Sequence, residues 1–382
     1  MNYVMLKDVC AINMGQSPDS NSYNNTGDGI PFFQGNADFG VRYPITRKWC
    51  SAPTKLAAPG DILISVRAPI GAMNYAKEDC CIGRGLAALT PDKSKVSPEF
   101  IFWLLKSKNT ELNSKGTGST FKAIGRKVLE ETMIPEISLE KQLEVSEILE
   151  RVYEIIQIRK EELQKLDQLI NARFVEMFGN PIHNPLGWDM VTFDECLTSI
   201  ENGKSFVCDS NAREGEHPGI LKLSAATYGV YKPEENKAII DSNDFVKSAE
   251  VHNGDLLFTR KNTPELVGMA AYVEITPNKL MMPDLIFRLN TNSKCNKIYM
   301  WKLINHDLYR RQVESAASGS AKSMSNISKE RLGRLRLPLP PIKLQNEFAD
   351  FVKQVNKSKV AIQKALDKTQ MLFDSLMQEY FG

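Results

Sequence analysis

The side chains of this sequence that could do chemistry are mostly basic or carboxamide, and they suit binding rather than bond-making. In the first part of the chain they are Gln34, Asn36, Arg42, Arg67, Arg84, Ser119, Thr120 and Lys122. In the second they are Lys222, Ser224, Arg260, Lys261, Asn262, Thr263, Ser320 and Lys322. They fall near the ends of expected strands or in Gly/Ser-rich loops. A guanidinium matches guanine O6 and N7, a carboxamide matches adenine N6 and N7, and Lys and Ser suit phosphate oxygens. The loop Gly116-Thr-Gly-Ser-Thr-Phe-Lys-Ala-Ile124 offers small residues, hydroxyls and Lys122 to a phosphate. On local sequence alone a plain surface loop fits it equally well.

Catalytic patterns are missing from the sequence. There is no GxSxG, P-loop or HExxH, and no carboxylate cluster of the kind that holds a nuclease metal. Gly83, Gly85 and Ala88 form a GxGxxA pattern, but Pro91 arrives too soon for the helix that a dinucleotide turn requires, so a strand passing through a tight turn is the better reading. Asn180-Pro181 and Asn184-Pro185 read as linker turns. The four His are far apart, and the seven Cys are odd in number and scattered. That pattern gives neither a disulfide framework nor a zinc ribbon and fits a reducing cytoplasm. No apolar run is long enough to span a bilayer.

The elements that must position these side chains come in duplicate. Two stretches, Glu140 to Phe178 and Lys343 to Phe381, lack Pro and Gly and stand at a constant offset of 203 residues. Each follows a Pro-containing segment, carries a Gln near its start (Gln142, Gln345) and closes on a Phe followed by Gly. The first has a heptad-like stripe of Val145, Leu149, Val152, Ile156, Leu163, Leu166, Ile170 and Met177. The second has Phe348, Val352, Val355, Ile362, Leu366, Phe373, Leu376 and Tyr380. Such stripes predict two long helices that are the two sides of one coiled coil, each roughly 58 Å long at about 1.5 Å per residue.

The preceding segments repeat as well. Pro59-Gly-Asp-Ile-Leu-Ile-Ser-Val-Arg67 has its counterpart in Asn253-Gly-Asp-Leu-Leu-Phe-Thr-Arg260, with the Arg one position earlier, counted from the shared Gly-Asp. Ser97 and Pro98 mark a helix start. The expected fold class is α+β: a mixed domain over 1–139, a helix over 140–179, a second mixed domain over 180–342 and a second helix over 343–382. The formal net charge of +2 does not by itself announce nucleic acid; it combines a Glu-rich first helix with a more basic remainder.

The segments GDILISVRAPIG, GRGLAAL, GDLLFTRKNTPELVG, GSTFKAI and GSAKSMSNIS, together with the two long helices, resemble the specificity subunit of type I restriction-modification enzymes over essentially the whole chain. The resemblance implies two target recognition domains alternating with two helices in an antiparallel coiled coil. It implies reading of double-stranded DNA at a site split in two, with two methyltransferase subunits and restriction-motor subunits as partners. It implies no cofactor on this chain, with S-adenosylmethionine carried by the methyltransferase. Two competing readings are a coiled-coil scaffold that joins two proteins without touching DNA, and a complete methyltransferase, for which the motifs are missing.

Overall fold

The computed structural model describes residues 2–118, 122–318 and 324–382. The chain divides into two compact units, Met1–Lys160 with Gln363–Gly382, and Glu161–Ile362. The division falls within both long helices rather than at their ends.

In the first unit, β1 (Tyr3–Met5) pairs antiparallel with β8 (Met133–Pro135). A four-stranded sheet follows the order β2 (Cys10–Met14), β7 (Leu86–Pro91), β4 (Ile62–Ser65), β5 (Met73–Tyr75). A second sheet of five short strands contains β3 (Ile30–Phe33), which runs parallel to β6 (Cys80–Ile82) with Phe32 opposite Cys81. All four residues of β4 are buried. This explains its continuous apolar run, which an exposed face would break into alternation.

The second unit repeats this plan. β9 (Asp189–Thr192) pairs with β16 (Arg336–Leu339). The four-stranded sheet has the order β10 (Leu197–Asn202), β15 (Ile286–Thr291), β12 (Leu256–Thr259), β13 (Ala270–Tyr272). β11 (Gly219–Leu221) runs parallel to β14 (Leu280–Met281). The shared Gly-Asp opens β4 and β12 in the same way. Gly60 and Gly254 take φ of +89° and +87°, a region that favours glycine. The carboxylates of Asp61 and Asp255 then accept the backbone N–H groups of Ala58 and His252, both at 2.9 Å.

Helix α1 (Pro98–Ser107) starts as its sequence requires, with the Ser97 hydroxyl accepting the Phe100 amide at 3.4 Å. Its counterpart α3 (Lys297–Ile304) is capped by Asn296. The long helices are α2 (Leu139–Phe178) and α4 (Ile342–Phe381), 40 residues each. None of the sixteen stripe residues is fully exposed.

Within the first unit, Tyr153 of α2 meets Phe373 of α4 with Trp103 against both rings. The Arg159 guanidinium donates to the Ala365 carbonyl and the Thr369 hydroxyl. Within the second unit, Phe174 and Phe178 pack on Phe348 and Tyr299, and Lys359 reaches Asp167 at 2.6 Å. In each unit a later residue of α2 faces an earlier residue of α4, so the paired segments run antiparallel. Tyr153, Phe174 and Phe178 flank the heptad stripe and pack on Trp103 or Tyr299 of the globular domain as well as on the other helix, and Phe381 packs on Phe100. No helix among the described residues is long and apolar enough to cross a membrane.

Candidate nucleic-acid interface

In the first unit the exit of β3, the end of β4 and the turn from β6 to β7 converge. The Gly83 amide donates to the Phe33 carbonyl at 2.8 Å, and the Val66 amide donates to the Gly85 carbonyl at 2.9 Å. A Cβ on Gly85 would lie 2.4 Å from the Gln34 carbonyl oxygen, so only glycine allows the approach. Gly83 and Gly85 are buried, whereas Arg84 between them is exposed. The result is a hollow of about 260 Å³ lined by Gln34, Asn36, Ser65, Arg67, Arg84 and neighbouring backbone. Four of the side chains expected to read DNA share its wall.

Arg67 follows β4 and is exposed, its carbonyl held by the Ser65 hydroxyl at 2.8 Å. Lys122 is exposed nearby, since its carbonyl accepts the Ala68 amide at 3.0 Å. Thr117 and Ala123 exchange amides at 2.9 and 3.0 Å, closing the base of the Gly-rich loop. Ser119 and Thr120 lie outside the described residues, as do Ser320 and Lys322 of the second repeat.

Arg42 is not brought to this hollow. It lines a separate one of about 380 Å³ with Tyr75, Lys93 and Glu99. Its guanidinium pairs with Glu150 on α2 and stacks 4.9 Å from the Tyr75 ring centre. Burial pulls the guanidinium pKa down, but the hydrogen bond and charge of Glu150 outweigh it and leave the group above its ordinary value.

The second unit uses the same backbone plan with different side chains. The Arg260 amide donates to the Leu285 carbonyl at 3.0 Å and its carbonyl accepts the Ile327 amide at 2.8 Å. Val66 makes the matching bonds with Gly85 and Ile124. Arg260 therefore takes the place of the buried Val66, and Lys261 takes the place of Arg67. The Arg260 guanidinium lies 5.0 Å from the Phe287 ring centre and donates to the Asn326 side-chain oxygen at 3.2 and 3.3 Å. Lys222 and Ser224 both address Glu235, at 3.9 and 2.8 Å. Asn262 is buried and donates to the Thr227 hydroxyl at 3.1 Å, while Thr263 is exposed. The reading by residue type missed Asp284 and Asn326. The signal for Asp284 was available in the repeat, because it stands where Arg84 stands; Asn326 stands where the apolar Ala123 stands and is revealed only by its contact with Arg260.

Among the described residues no three His, Cys, Asp or Glu gather in a geometry for a metal ion. The GxGxxA look-alike continues into β7, not a helix. Asn180 accepts the amides of Ile182 and His183 at 2.9 and 3.1 Å, so the Asn-Pro look-alike is a turn.

The chain matches the family of the type I restriction modification DNA specificity domain twice, over residues 1–168 and 185–369. It is 42% identical over 155 residues to the MjaX specificity subunit of Methanocaldococcus jannaschii, covering 41% of this chain and 36% of that protein. It is 31% identical over 239 residues to the type I restriction enzyme EcoEI specificity subunit of Escherichia coli, covering 60% of this chain and 40% of that one. The matches thus span well under two thirds of the length of these relatives. The crystal structure of the type I restriction-modification system S subunit from M. genitalium is similar with a TM-score of 0.64 over 100% of this chain and 96% of that chain, at 15% identity, a likeness of fold. With the specificity domain matched twice across most of its length, this chain belongs to the type I restriction-modification DNA specificity family.

Proposed function

We propose that this chain is the non-catalytic DNA-reading subunit of a type I restriction-modification complex, each repeat reading one half of a bipartite site. The observation that carries the reading is the hollow where Gln34, Asn36, Arg67 and Arg84 meet. Two guanidinium groups and two carboxamides in one wall are the donor set that base edges require, and Lys122 beside them suits a phosphate. The repeated backbone plan of the second unit supports a second reading head with its own specificity.

In this reading the recognition domains are residues 1–139 and 180–342, and α2 and α4 form an antiparallel coiled coil that spaces them. Two methyltransferase subunits and the restriction-motor subunits are the protein partners, and S-adenosylmethionine belongs to the methyltransferase. The exposed apolar side chains Ile155, Ile158 and Met371 on the helix segments of the first unit suit contact with such partners.

The test is co-expression with the methyltransferase subunits, followed by gel shifts and methylation mapping. A bipartite methylated site is the expected result. Replacing residues 181–340 with the corresponding segment of another family member should change one half-site and leave the other. Change in both half-sites would refute the two-head assignment, and assembly without any DNA preference would favour a scaffold.

A further inference from the structure

We infer that Arg84 and Asp284, at the tip of the same turn in the two repeats, are matched base-reading residues of opposite charge: Arg84 selects guanine in one half-site and Asp284 selects cytosine in the other. The inference rests on the DNA-reading assignment above and names the bases it leaves open.

The equivalence is geometric. The Arg84 amide donates to the Ser17 hydroxyl at 3.4 Å, and the Asp284 amide donates to the Ser205 hydroxyl at 3.1 Å. Two residues further on, the Leu86 amide closes the turn on the Gly83 carbonyl at 3.0 Å, and the Ile286 amide closes it on the Pro283 carbonyl at 3.1 Å. In the first repeat the turn is wedged against the Gln34 backbone by buried glycines, so its one exposed side chain is displayed on a fixed base.

The two tips differ in chemistry. Arg84 presents only donors, and the hollow beside it adds Gln34 and Arg67. A donor fork fits the paired acceptors O6 and N7 of guanine. Asp284 presents only acceptors. One carboxylate oxygen accepts the Ser205 hydroxyl, which fixes the group and leaves the other oxygen for a donor. In the major groove the amino groups are cytosine N4 and adenine N6, and adenine sets its N7 acceptor beside N6, where a carboxylate is repelled. Phosphate oxygens are likewise disfavoured at Asp284, so this tip cannot be a backbone contact.

The experiment uses the full chain assembled with its methyltransferase subunits, with methylation mapped genome-wide for wild type and variants. Arg84→Ala should lose discrimination at one guanine of one half-site by about 10- to 100-fold and leave the other half-site intact. Asp284→Ala should do the same at one cytosine of the other half-site. Arg84→Lys and Asp284→Glu, which keep the charge, should keep the base preference and guard against loss through misfolding. Relaxation at an A·T position, relaxation of the same half-site by both variants, or an unchanged site in both would overturn the inference while leaving the DNA-reading function standing. A wild-type complex without sequence preference would overturn both.

Discussion

The side-chain oxygen of Gln345 accepts the backbone N–H of Asn296 at 2.8 Å, and its amide donates to the carbonyls of Pro340 and Lys294 at 2.7 and 3.1 Å. Gln142 repeats this relationship 203 residues earlier, accepting from Ser97 at 2.9 Å and donating to Ile137 and Lys95 at 3.0 and 3.4 Å. Each Gln is buried and joins the start of a long helix to the cap of a short helix in its globular domain. Gln345→Ala would leave three backbone groups without a partner and should cost about 3 kcal/mol or more. Urea denaturation of the purified chain measures it, and a loss below about 1 kcal/mol would show that the clamp is not structural.

Arg67 and Arg260 should respond differently to truncation. Arg67 is exposed beside the hollow, so Arg67→Ala should change stability by no more than about 0.5 kcal/mol while relaxing one base position by about 1–3 kcal/mol. Arg260 braces Asn326 and stacks on Phe287, so Arg260→Ala should destabilise the second unit by about 1–3 kcal/mol. Thermal melts of both variants alongside DNA binding separate the two roles.

Lys122 is exposed, and its carbonyl accepts the amide of Ala68, which lines the hollow. Lys122→Ala should weaken binding about equally on all sequences and reduce the slope of log affinity against log salt by about 1. A base-specific effect would reassign it from phosphate to base.

If the long helices set the spacing of the heads, adding four residues after Lys160 and after Gln363 lengthens each by about 6 Å and turns the heads by about 40° on straight-helix geometry. At roughly 3.4 Å per base pair the spacer between half-sites should grow by about one to two base pairs with both half-sites unchanged. Methylation mapping reads this directly. An active mutant with the original spacer would mean that the helices are not the ruler.

Lys106 gives a pH-dependent prediction. Burial against Phe102, Trp103 and Tyr153 lowers its pKa from 10.5 to about 8, opposed by Glu150 and assisted by the charges of Lys160 and Arg42. Between about pH 8 and 10.5 the unfolded chain therefore binds the extra proton, and this group's cost to folding falls as pH rises; below pH 8 the cost is fully present. Lys106→Met should melt above the wild type at pH 7, with the difference shrinking by pH 9.5. A gap independent of pH would show that the ammonium is not strained by its site.

The sequence by itself determined the two long helices and the duplication of the chain. The long helices begin within one residue of their expected starts because an unbroken stripe, a preceding Pro and the absence of Gly and Pro are all local signals. The Gly-Asp turns before β4 and β12 were legible for the same reason. Gln142 and Gln345 were visible as markers, but their role depends on amides about 45 and 49 residues away along the chain.

Tertiary structure decided which of the basic and amide side chains remain available. Arg42 and Glu150 are 108 residues apart, and no local pattern pairs them. A one-position shift after the Gly-Asp puts Arg260 at the position of the buried Val66, where its guanidinium meets Asn326 and Phe287. Arg67, Arg84, Gln34 and Asn36 come from three separate stretches and meet only because buried glycines let those backbones touch. Residue type sets what a side chain can bind, whereas its freedom to bind depends on which neighbours the fold has already given it.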